Sequence, residues 1–412
     1  MHKIKTDLLC NYVSMVVMAV SGLLMNTVIV LFYGSEVLGI YNETYAWYMI
    51  LSQVAVWGIH MAVLKFVPGT KDNTEQGSIL KTSILTAVVF SFAVTVMAET
   101  VVFCLGDIAW KKSMLIAFTG LVLLSVNKVL LNYLNATHRM VAYAVFTSFR
   151  YGFFGIGILG FALKGVGPEF LAWIFPLIEI AVLIGTILYF AARISIVGRF
   201  DRKLFGKIVY FGTKILPSAM VLEMNTKLDV VCLGMLTKDA SQIGIYSFAV
   251  LFTEGFYMLY VTVRKIINPG IAESNSAGKL KEYILGTKKA LSNYMVWGGG
   301  LVYAGIAAGY ILLCAAMRRP AYIEGVLYIL IICLAIAANG KYIIFGDLLA
   351  QTGYPFEESV LNMLTVAGNF LLNVIFITLF GTVGAAIATA ASHYIFALYM
   401  KTRIKKRLGV II

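Results

Sequence analysis

Long apolar runs recur along almost the whole chain, separated by short polar segments. Each run approaches the roughly 20 residues that a helix needs to cross a ~30 Å hydrocarbon core, and none shows the period-2 alternation of a barrel strand. Because backbone polar groups in lipid must be satisfied within the segment, the pattern predicts helices. About twelve spans result, centred approximately on residues 20, 52, 92, 123, 152, 181, 221, 256, 303, 333, 370 and 392.

A weak internal repeat divides the chain near its middle. Four short matches recur in the same order in the second half: Gly39-Ile40-Tyr41 with Gly244-Ile245-Tyr246, Pro68-Gly69 with Pro269-Gly270, Leu134-Asn135-Ala136-Thr137 with Leu349-Ala350-Gln351-Thr352, and Val166-Gly167 with Val383-Gly384. They predict two halves of six spans each. Since six is even, the halves share one orientation, as in the parallel repeats of many transporters. The alternative is that Gly-Ile-Tyr marks a generic span entry.

The predicted fold class is therefore an all-α polytopic membrane protein, with about twelve transmembrane helices in two six-helix lobes related by a parallel pseudo-two-fold repeat. Residues 1–192 form the predicted N-lobe with spans one to six, and residues 208–412 form the C-lobe with a short basic tail. Residues 193–207 form a basic cytoplasmic segment between them. This segment is expected to lie on the inner leaflet as an amphipathic stretch.

Composition and charge agree with a membrane location. Hydrophobic residues make up 60% of the chain and charged residues only 13%, and the mean hydropathy of +0.87 excludes a soluble domain of this size. If the N-terminus is cytoplasmic, most of the lysines and arginines outside the spans fall in cytoplasmic segments. Because cytoplasmic loops carry an excess of these residues, both termini are expected in the cytoplasm. The net charge of +13 is spread over short segments, which argues against nucleic-acid binding.

Several motifs along the chain resemble one known family of transporters. They are N-x-x-S (Asn11, Ser14), F-Y-G-x-E-x-L-G-I-Y-N (Phe32 to Asn42), L-P followed by D-x-x-x-L-G (Leu216-Pro217, Asp229 to Gly234), I-G-I-Y-S-F-A (Ile243 to Ala249) and G-T-V-G-A-A-I-A-T (Gly381 to Thr389). In this order they resemble the polysaccharide-repeat flippases, of the O-antigen and capsule type, in the multidrug/oligosaccharidyl-lipid/polysaccharide exporter superfamily. The related lipid II flippases have further C-terminal spans and arginines in the first helix. The sequence shows twelve predicted spans and no arginine in the first, so membership of that branch is not expected.

The resemblance implies two lobes around a central cavity and an alternating-access cycle. The implied substrate is an undecaprenyl-pyrophosphate-linked oligosaccharide, moved from the cytoplasmic to the outer leaflet for O-antigen, capsule or exopolysaccharide synthesis. The implied location is the cytoplasmic membrane of a bacterium or archaeon. The expected protein is a monomer in contact with membrane lipids, with the polysaccharide polymerase and chain-length proteins as candidate partners, and it needs no cofactor.

Two other functional classes stay open. A cation-coupled multidrug antiporter of the same superfamily is the alternative, although its cationic or lipophilic substrates would favour an acidic cavity. A membrane-embedded enzyme is the third class. No nucleophile–base pair, H-E-x-x-H helix or metal-ligand cluster is recognisable, so neither a catalytic residue nor a metal site is assigned.

Five cations remain inside predicted spans: Lys128, Arg150, Lys214, Lys227 and Lys341. A charge in a span costs ~2.5 to 3.5 kcal/mol on insertion scales, so such residues usually face protein or water and serve function. Ammonium and guanidinium groups suit phosphate oxygens, which makes these five the candidates for binding the pyrophosphate. The alternative is that they snorkel to the headgroups.

Polar and aromatic residues supply the remaining candidates. Asn225 lies on a polar stripe of span seven, and Trp57 and Tyr257 could contact the apolar faces of sugars. Asp229 and Glu254 are acidic residues within spans, where a carboxylate can exchange a proton or bind Na⁺. They are the candidates for coupling H⁺ or Na⁺ to transport. The alternative for Asp229 is a structural pair with a cavity lysine.

The orientation predicts a labelling pattern. A cysteine placed at position 239, in the outer turn of residues 236–242, should react with an impermeant thiol reagent added outside cells, and one at position 202 should react only after permeabilisation. Labelling of position 202 but not of 239 from outside would reverse the orientation.

Overall fold

The computed structural model describes residues 2–70, 72–105, 110–194, 197–293 and 299–410. It confirms the all-α class, because the described residues contain helices and no strand. The helices are α1 (His2–Phe32), α2 (Ser35–Val56), α3 (Ile59–Phe66), α4 (Asn73–Cys104), α5 (Lys111–Phe118), α6 (Leu121–Ala136), α7 (Met140–Leu163), α8 (Ile174–Arg193), α9 (Arg202–Leu236), α10 (Ala240–Ser276), α11 (Leu280–Asn293), α12 (Gly299–Ala316), α13 (Gly325–Ile344), α14 (Leu348–Gln351) and α15 (Pro355–Leu408).

Every predicted span centre falls on one of these helices. Within the described residues, 7 helical segments are long and apolar enough to cross a membrane, or up to 9 if two bent pairs each count as one span. The bent pairs are α2 with α3, at 54°, and α5 with α6, at 43°. The predicted first and seventh spans lie on α1 and α9, and α15 contains the last two predicted spans on either side of a non-helical residue, Gly381.

The chain divides into two compact units, Met1–Lys227 and Leu228–Ile412. The division falls inside α9, later than the predicted connecting segment at 193–207, so most of span seven is grouped with the first unit. The predicted limits of the two lobes, residues 1–192 and 208–412, therefore stay a prediction. Residues 195 and 196 of the predicted segment lie outside the described residues.

Within each unit several helices pack around the helix of one span, which is span four in the first unit and span ten in the second. In the first unit the helices of spans two, three and six, which are α2, α4 and α8, each pack against α6 of span four. In the second unit α10 of span eight, α12 of span nine and α15, which contains spans eleven and twelve, each pack against α13 of span ten. The repeat found in the sequence therefore corresponds to a repeated packing arrangement.

The four-residue match after spans four and ten forms the same helix end in both units. The N–H of Arg139 bonds the carbonyl of Leu134, and the N–H of Tyr354 bonds that of Leu349, each at 2.8 Å. In both places the preceding residue has a positive φ, 56° at His138 and 94° at Gly353. This six-to-one bond after a left-handed residue is a Schellman motif, and both leucines are fully buried.

The described part of the connecting segment is held against the N-terminal part of α4. Residues 197–201 are not helical, and three hydrogen bonds join them to one face of α4: Lys81 Nζ to Gly198 O at 2.9 Å, Arg199 N to Ser78 Oγ at 3.2 Å, and Asp201 N to Thr82 Oγ1 at 3.1 Å. An amphipathic stretch lying on the leaflet was expected across this segment. The leaflet location stays a prediction, and the contacts with α4 hold the backbone at Gly198, Arg199 and Asp201.

The motif Gly381 to Thr389 makes the turn between the last two spans. Gly381 has φ 59° and ψ −135°, a region that is essentially restricted to glycine. At Gly384 a Cβ would collide with the carbonyl oxygen of Phe376. The two glycines of G-T-V-G are thus required by a positive φ and by a close backbone approach.

Replacing Gly381 by Ala should therefore destabilise the protein by about 1 to 3 kcal/mol, because the alanine must adopt this strained conformation or open the turn. The matched control is Gly305→Ala within α12, where a Cβ meets nothing within 4 Å and helix propensity predicts a gain of up to about 1 kcal/mol. Thermal unfolding of the detergent-purified proteins measures both. Equal midpoints for the two variants would contradict this account of the turn.

Candidate functional site

A connected set of polar side chains, here called the first-unit network, lies among the apolar helices of the first unit. Its members come from five different helices: Ser52 and Gln53 from α2, Asn127 and Lys128 from α6, Arg150 from α7, Glu179 from α8 and Glu223 from α9. Polar groups inside a membrane bundle are expensive and usually mark a substrate or ion pathway. This network is therefore the first candidate site.

At one end of the network, a buried ion pair joins Arg150 to Glu179. The Nη2 of Arg150 lies 2.9 Å from the Oε2 of Glu179, and the two side chains are 12% and 2% exposed. Asn127 donates to the same carboxylate oxygen at 2.7 Å and to the backbone carbonyl of Glu179 at 2.9 Å. The charge of Arg150 is therefore matched by a carboxylate from the next span.

Lys128 extends the network towards α2. Its Nζ donates to the hydroxyl of Ser52 at 2.8 Å, and its electrostatic surroundings include Glu223, Arg150 and Glu179. An ammonium carries three donors, and the described hydrogen bond of Lys128 goes to an uncharged group. Nearby, Gln53 donates to the Oε2 of Glu223 at 3.0 Å.

Trp57 lies at the break between α2 and α3. Its φ is 49°, and its indole N–H donates to the hydroxyl of Thr213 on α9 at 2.9 Å. At Gly58 a Cβ would lie 2.7 Å from the carbonyl oxygen of Gly212, so the broken helix and α9 approach closely at two glycines. Trp57 thus connects span two to the first part of span seven through this hydrogen bond. Its side chain is half-buried.

The other first-unit candidates lie along α9. Lys214 is exposed, with its Nζ 2.5 Å from the hydroxyl of Tyr210 and 4.2 Å from the centre of that ring. Lys227 is half-buried and lies 5.4 Å from the ring centre of Tyr45. Asn225 is exposed. The structure thus brings Lys128 and Arg150 into one network and places Lys214 and Asn225 on exposed surface.

The second candidate site surrounds Asp229 in the second unit. Its Oδ1 accepts from Asn373 at 2.7 Å and its Oδ2 from Tyr246 at 3.1 Å, and Thr389 also donates to Oδ2. Asn373 further donates to the side-chain oxygen of Asn369. These donors are uncharged, and the Oδ1 of Asn373 is buried without a hydrogen-bond partner.

A third polar cluster joins α10 to the turn between α13 and α14. Arg264 Nη1 lies 3.3 Å from Asp347 Oδ1, and Asn268 donates to Asp347 Oδ2 at 2.7 Å. Tyr257 interacts with Arg264 through a side-chain hydrogen bond, and its ring centre lies 5.8 Å from that of His393. Tyr257 is thus placed beside an arginine that sequence reasoning did not single out.

The two remaining candidates of the second unit are both half-buried. Lys341, on α13, lies 5.0 Å from the ring centre of Tyr342. Glu254, on α10, is not among the described contacts of Asp229. The described hydrogen bonds join Asp229 to residues of α10 and α15.

Residues 7–273 match a family model described as polysaccharide biosynthesis protein. The chain belongs to this family. A comparison with curated proteins finds no match.

Solved structures of transporters share the fold of this chain. One is the lipid II flippase MurJ in an inward closed conformation, with a TM-score of 0.76 at 17% identity over 96% of this chain and 87% of that chain. Another is an inward-facing multidrug resistance MATE family transporter of the MOP superfamily, with a TM-score of 0.71 at 13% identity over 93% and 94% of the two chains. A third is the MATE multidrug transporter DinF-BH, with a TM-score of 0.62 at 15% identity over 98% and 95%.

The sequence analysis missed several residues of the two sites. Glu179 lies in an apolar run of α8. A charged residue within a span usually serves function, and applying this rule to carboxylates as fully as to cations would have identified Glu179. Asn127, Asn373 and Thr389 carry no charge, and amides and hydroxyls in spans are common enough that only their partners single them out. Among the described residues no group of three or more His, Cys, Asp or Glu side chains could hold a metal ion.

Proposed function

We propose that this protein is a flippase that moves polyprenyl-pyrophosphate-linked oligosaccharide units from the cytoplasmic to the outer leaflet by alternating access. The observation that carries the proposal is Lys128, an ammonium within the first-unit network whose described hydrogen bond goes to the neutral hydroxyl of Ser52. Family membership and the transporter fold support export of a lipid-linked intermediate of polysaccharide synthesis. The protein acts as a monomer in the cytoplasmic membrane, with both termini inside.

The proposal of an anionic substrate depends on the two cations of the network. Two cations, Lys128 and Arg150, lie close enough to interact, although like charges repel in a low dielectric. The carboxylates of Glu223 and Glu179 offset part of this repulsion. A pyrophosphate would offset it further, because its oxygens accept hydrogen bonds from ammonium and guanidinium groups.

Replacing Lys128 by Gln should abolish transport of the lipid-linked sugar, because the amide keeps a contact with Ser52 and loses the charge that the pyrophosphate needs. Lys128→Arg should retain more activity, since the guanidinium also binds phosphate. Vesicles containing the purified protein and a fluorescent polyprenyl-pyrophosphate sugar measure flipping. Lys164→Gln is the matched control, because Lys164 is exposed at the end of α7.

Normal flipping by the Lys128→Gln variant would show that Lys128 is not needed for substrate binding. Normal flipping by a variant in which Lys128, Arg150 and Lys214 are all changed to Gln would leave snorkelling as the explanation of these charges. Efflux of cationic dyes by wild-type vesicles, without any flipping of lipid-linked sugar, would make the multidrug antiporter the better assignment.

We further propose that Asp229 carries the coupled cation. Hard cations take oxygen ligands, and the carboxylate of Asp229 lies beside the hydroxyls of Thr389 and Tyr246. The unpartnered Oδ1 of Asn373 supplies a further oxygen. Asp229 and these three oxygens could hold Na⁺, whereas a proton would need the carboxylate alone. Glu254, the other acidic residue singled out within a span, is the second candidate.

The membrane potential alone is a competing source of energy. Moving one charge across the membrane is worth ~2.3 kcal/mol per 100 mV, so about two negative charges on a pyrophosphate would gain roughly 4 to 5 kcal/mol in an inside-negative potential of that size. Coupling through Asp229 is needed only if a cation gradient drives flipping without this potential.

With the potential clamped at zero, an imposed pH or Na⁺ gradient should drive flipping in wild-type vesicles and fail to do so in Asp229→Asn, because the neutral amide can neither exchange a proton nor neutralise Na⁺. Asn373→Ala removes an oxygen ligand but keeps the carboxylate, so it should weaken a response to Na⁺ and spare a response to pH.

The matched control for charge is Asp239→Asn, because Asp239 caps the start of α10 by accepting from Gln242 N at 3.1 Å and takes no part in the Asp229 cluster. Its vesicles should respond like the wild type. If neither gradient has any effect on wild-type vesicles, the coupling proposal is wrong and the potential is sufficient.

A further inference from the structure

Glu179 holds Arg150 by a single described contact. Only Nη2 of the guanidinium meets the carboxylate, and the Nε of Arg150 is buried without a hydrogen-bond partner. A guanidinium offers five donors in a planar fork that suits two acceptor oxygens at once. The pair therefore leaves a donor unsatisfied inside the protein, which is unfavourable.

The same incomplete arrangement occurs in the second unit. Arg264 meets Asp347 through Nη1, and its Nε is also buried without a partner. In each case an asparagine amide donates to the carboxylate at 2.7 Å, from Asn127 to Glu179 and from Asn268 to Asp347. In each case the asparagine's own Oδ1 lacks a partner. Both arginines are thus held by a carboxylate that satisfies only part of the guanidinium.

The position of Glu179 opposes the binding of an anion. Arg150 and Lys128 are the cations that interact with it electrostatically. A pyrophosphate placed beside the Arg150–Glu179 pair would be repelled by the carboxylate. A phosphate that replaced the carboxylate on Arg150 would instead offer two oxygens to Nη2 and Nε, while Asn127 would still hold Glu179.

We infer that Glu179 is an internal competitor for the substrate's pyrophosphate: binding exchanges the Arg150–Glu179 ion pair for an Arg150–phosphate contact, and the return of Glu179 expels the product. This inference rests on the proposed flippase function. A transport site must bind its substrate well enough to admit it and weakly enough to release it. Glu179 is a positioning residue that lowers the affinity of the site and thereby speeds release.

The test compares the binding of farnesyl pyrophosphate to the purified full-length proteins in nanodiscs. Glu179→Gln should tighten binding at least about tenfold and slow the flipping of lipid-linked sugar, because the neutral amide no longer competes for Arg150. Arg150→Gln in the Glu179→Gln background should remove this gain. Glu179→Asp keeps the charge but shortens the side chain, so it should tighten binding in the same direction if Glu179→Gln folds poorly.

Two controls separate competition from general loosening of the protein. Farnesol, which lacks the pyrophosphate, should bind all variants equally. Glu357→Gln changes the carboxylate of an ion pair with Arg407, whose side chain is 42% exposed, and should leave binding of farnesyl pyrophosphate unchanged.

The outcomes distinguish the two proposals. If the wild type prefers farnesyl pyrophosphate to farnesol but neither Glu179 variant binds it more tightly, only the inference about Glu179 is overturned. The inference about Glu179 is also overturned if Glu179→Gln still binds farnesyl pyrophosphate more tightly when Arg150 is changed to Gln. If the wild type neither prefers the pyrophosphate nor flips lipid-linked sugar, the proposed function fails and the inference fails with it.

Discussion

The free energy of leaving a polar group without a partner in hydrocarbon controls this structure. Many buried hydroxyls in the spans satisfy themselves within their own helix, as Thr86 does with the carbonyl of Thr82 at 2.6 Å and Ser125 with that of Leu121 at 2.8 Å. Such residues cost little and carry no information about function. Polar groups that bond across helices are different, because each depends on a partner from another span. These cross-helix contacts define the two candidate sites.

The internal repeat shows how one scaffold supports different chemistry in its two units. Tyr41 and Tyr246 occupy the same position in the Gly-Ile-Tyr repeat, and both are buried. The hydroxyl of Tyr41 bonds the sulfur of Met25 at 3.2 Å, and that of Tyr246 bonds Asp229 at 3.1 Å. The tyrosine is present in both units while its partner changes from a thioether to a carboxylate. Only the second unit therefore places an acid at this position.

The two sites handle charge in opposite ways. In the first-unit network, cations are set against carboxylates, so that the folded protein bears little net charge there, and removing one partner of such a buried pair is costly. Around Asp229 the described donors are neutral, so the negative charge is solvated by dipoles. A site of the first kind suits exchange of one anion for another, as proposed for Glu179. The site around Asp229 suits a small cation that binds and is released reversibly.

The sequence by itself determined the helices, the two-fold repeat and the charged candidates. Hydrophobic length and the cost of a charge in a span are local properties, which can be read along one segment. It also indicated the family, through short motifs whose order was informative. The G-T-V-G motif is visible in the sequence, but the reason for its two glycines is visible only in the backbone conformation of the turn.

Only the tertiary structure decided which polar groups meet. Glu179 lies 29 residues from Arg150 along the chain, and Asp229 lies 144 residues from Asn373 and 160 from Thr389. Likewise, the sequence placed Lys214 and Lys128 in the same class, and the structure separated an exposed lysine from one inside a network. Partners on different spans depend on how the helices pack and rotate about their axes, and side-chain shape and close glycine contacts set that packing. No pattern within a single span contains this information.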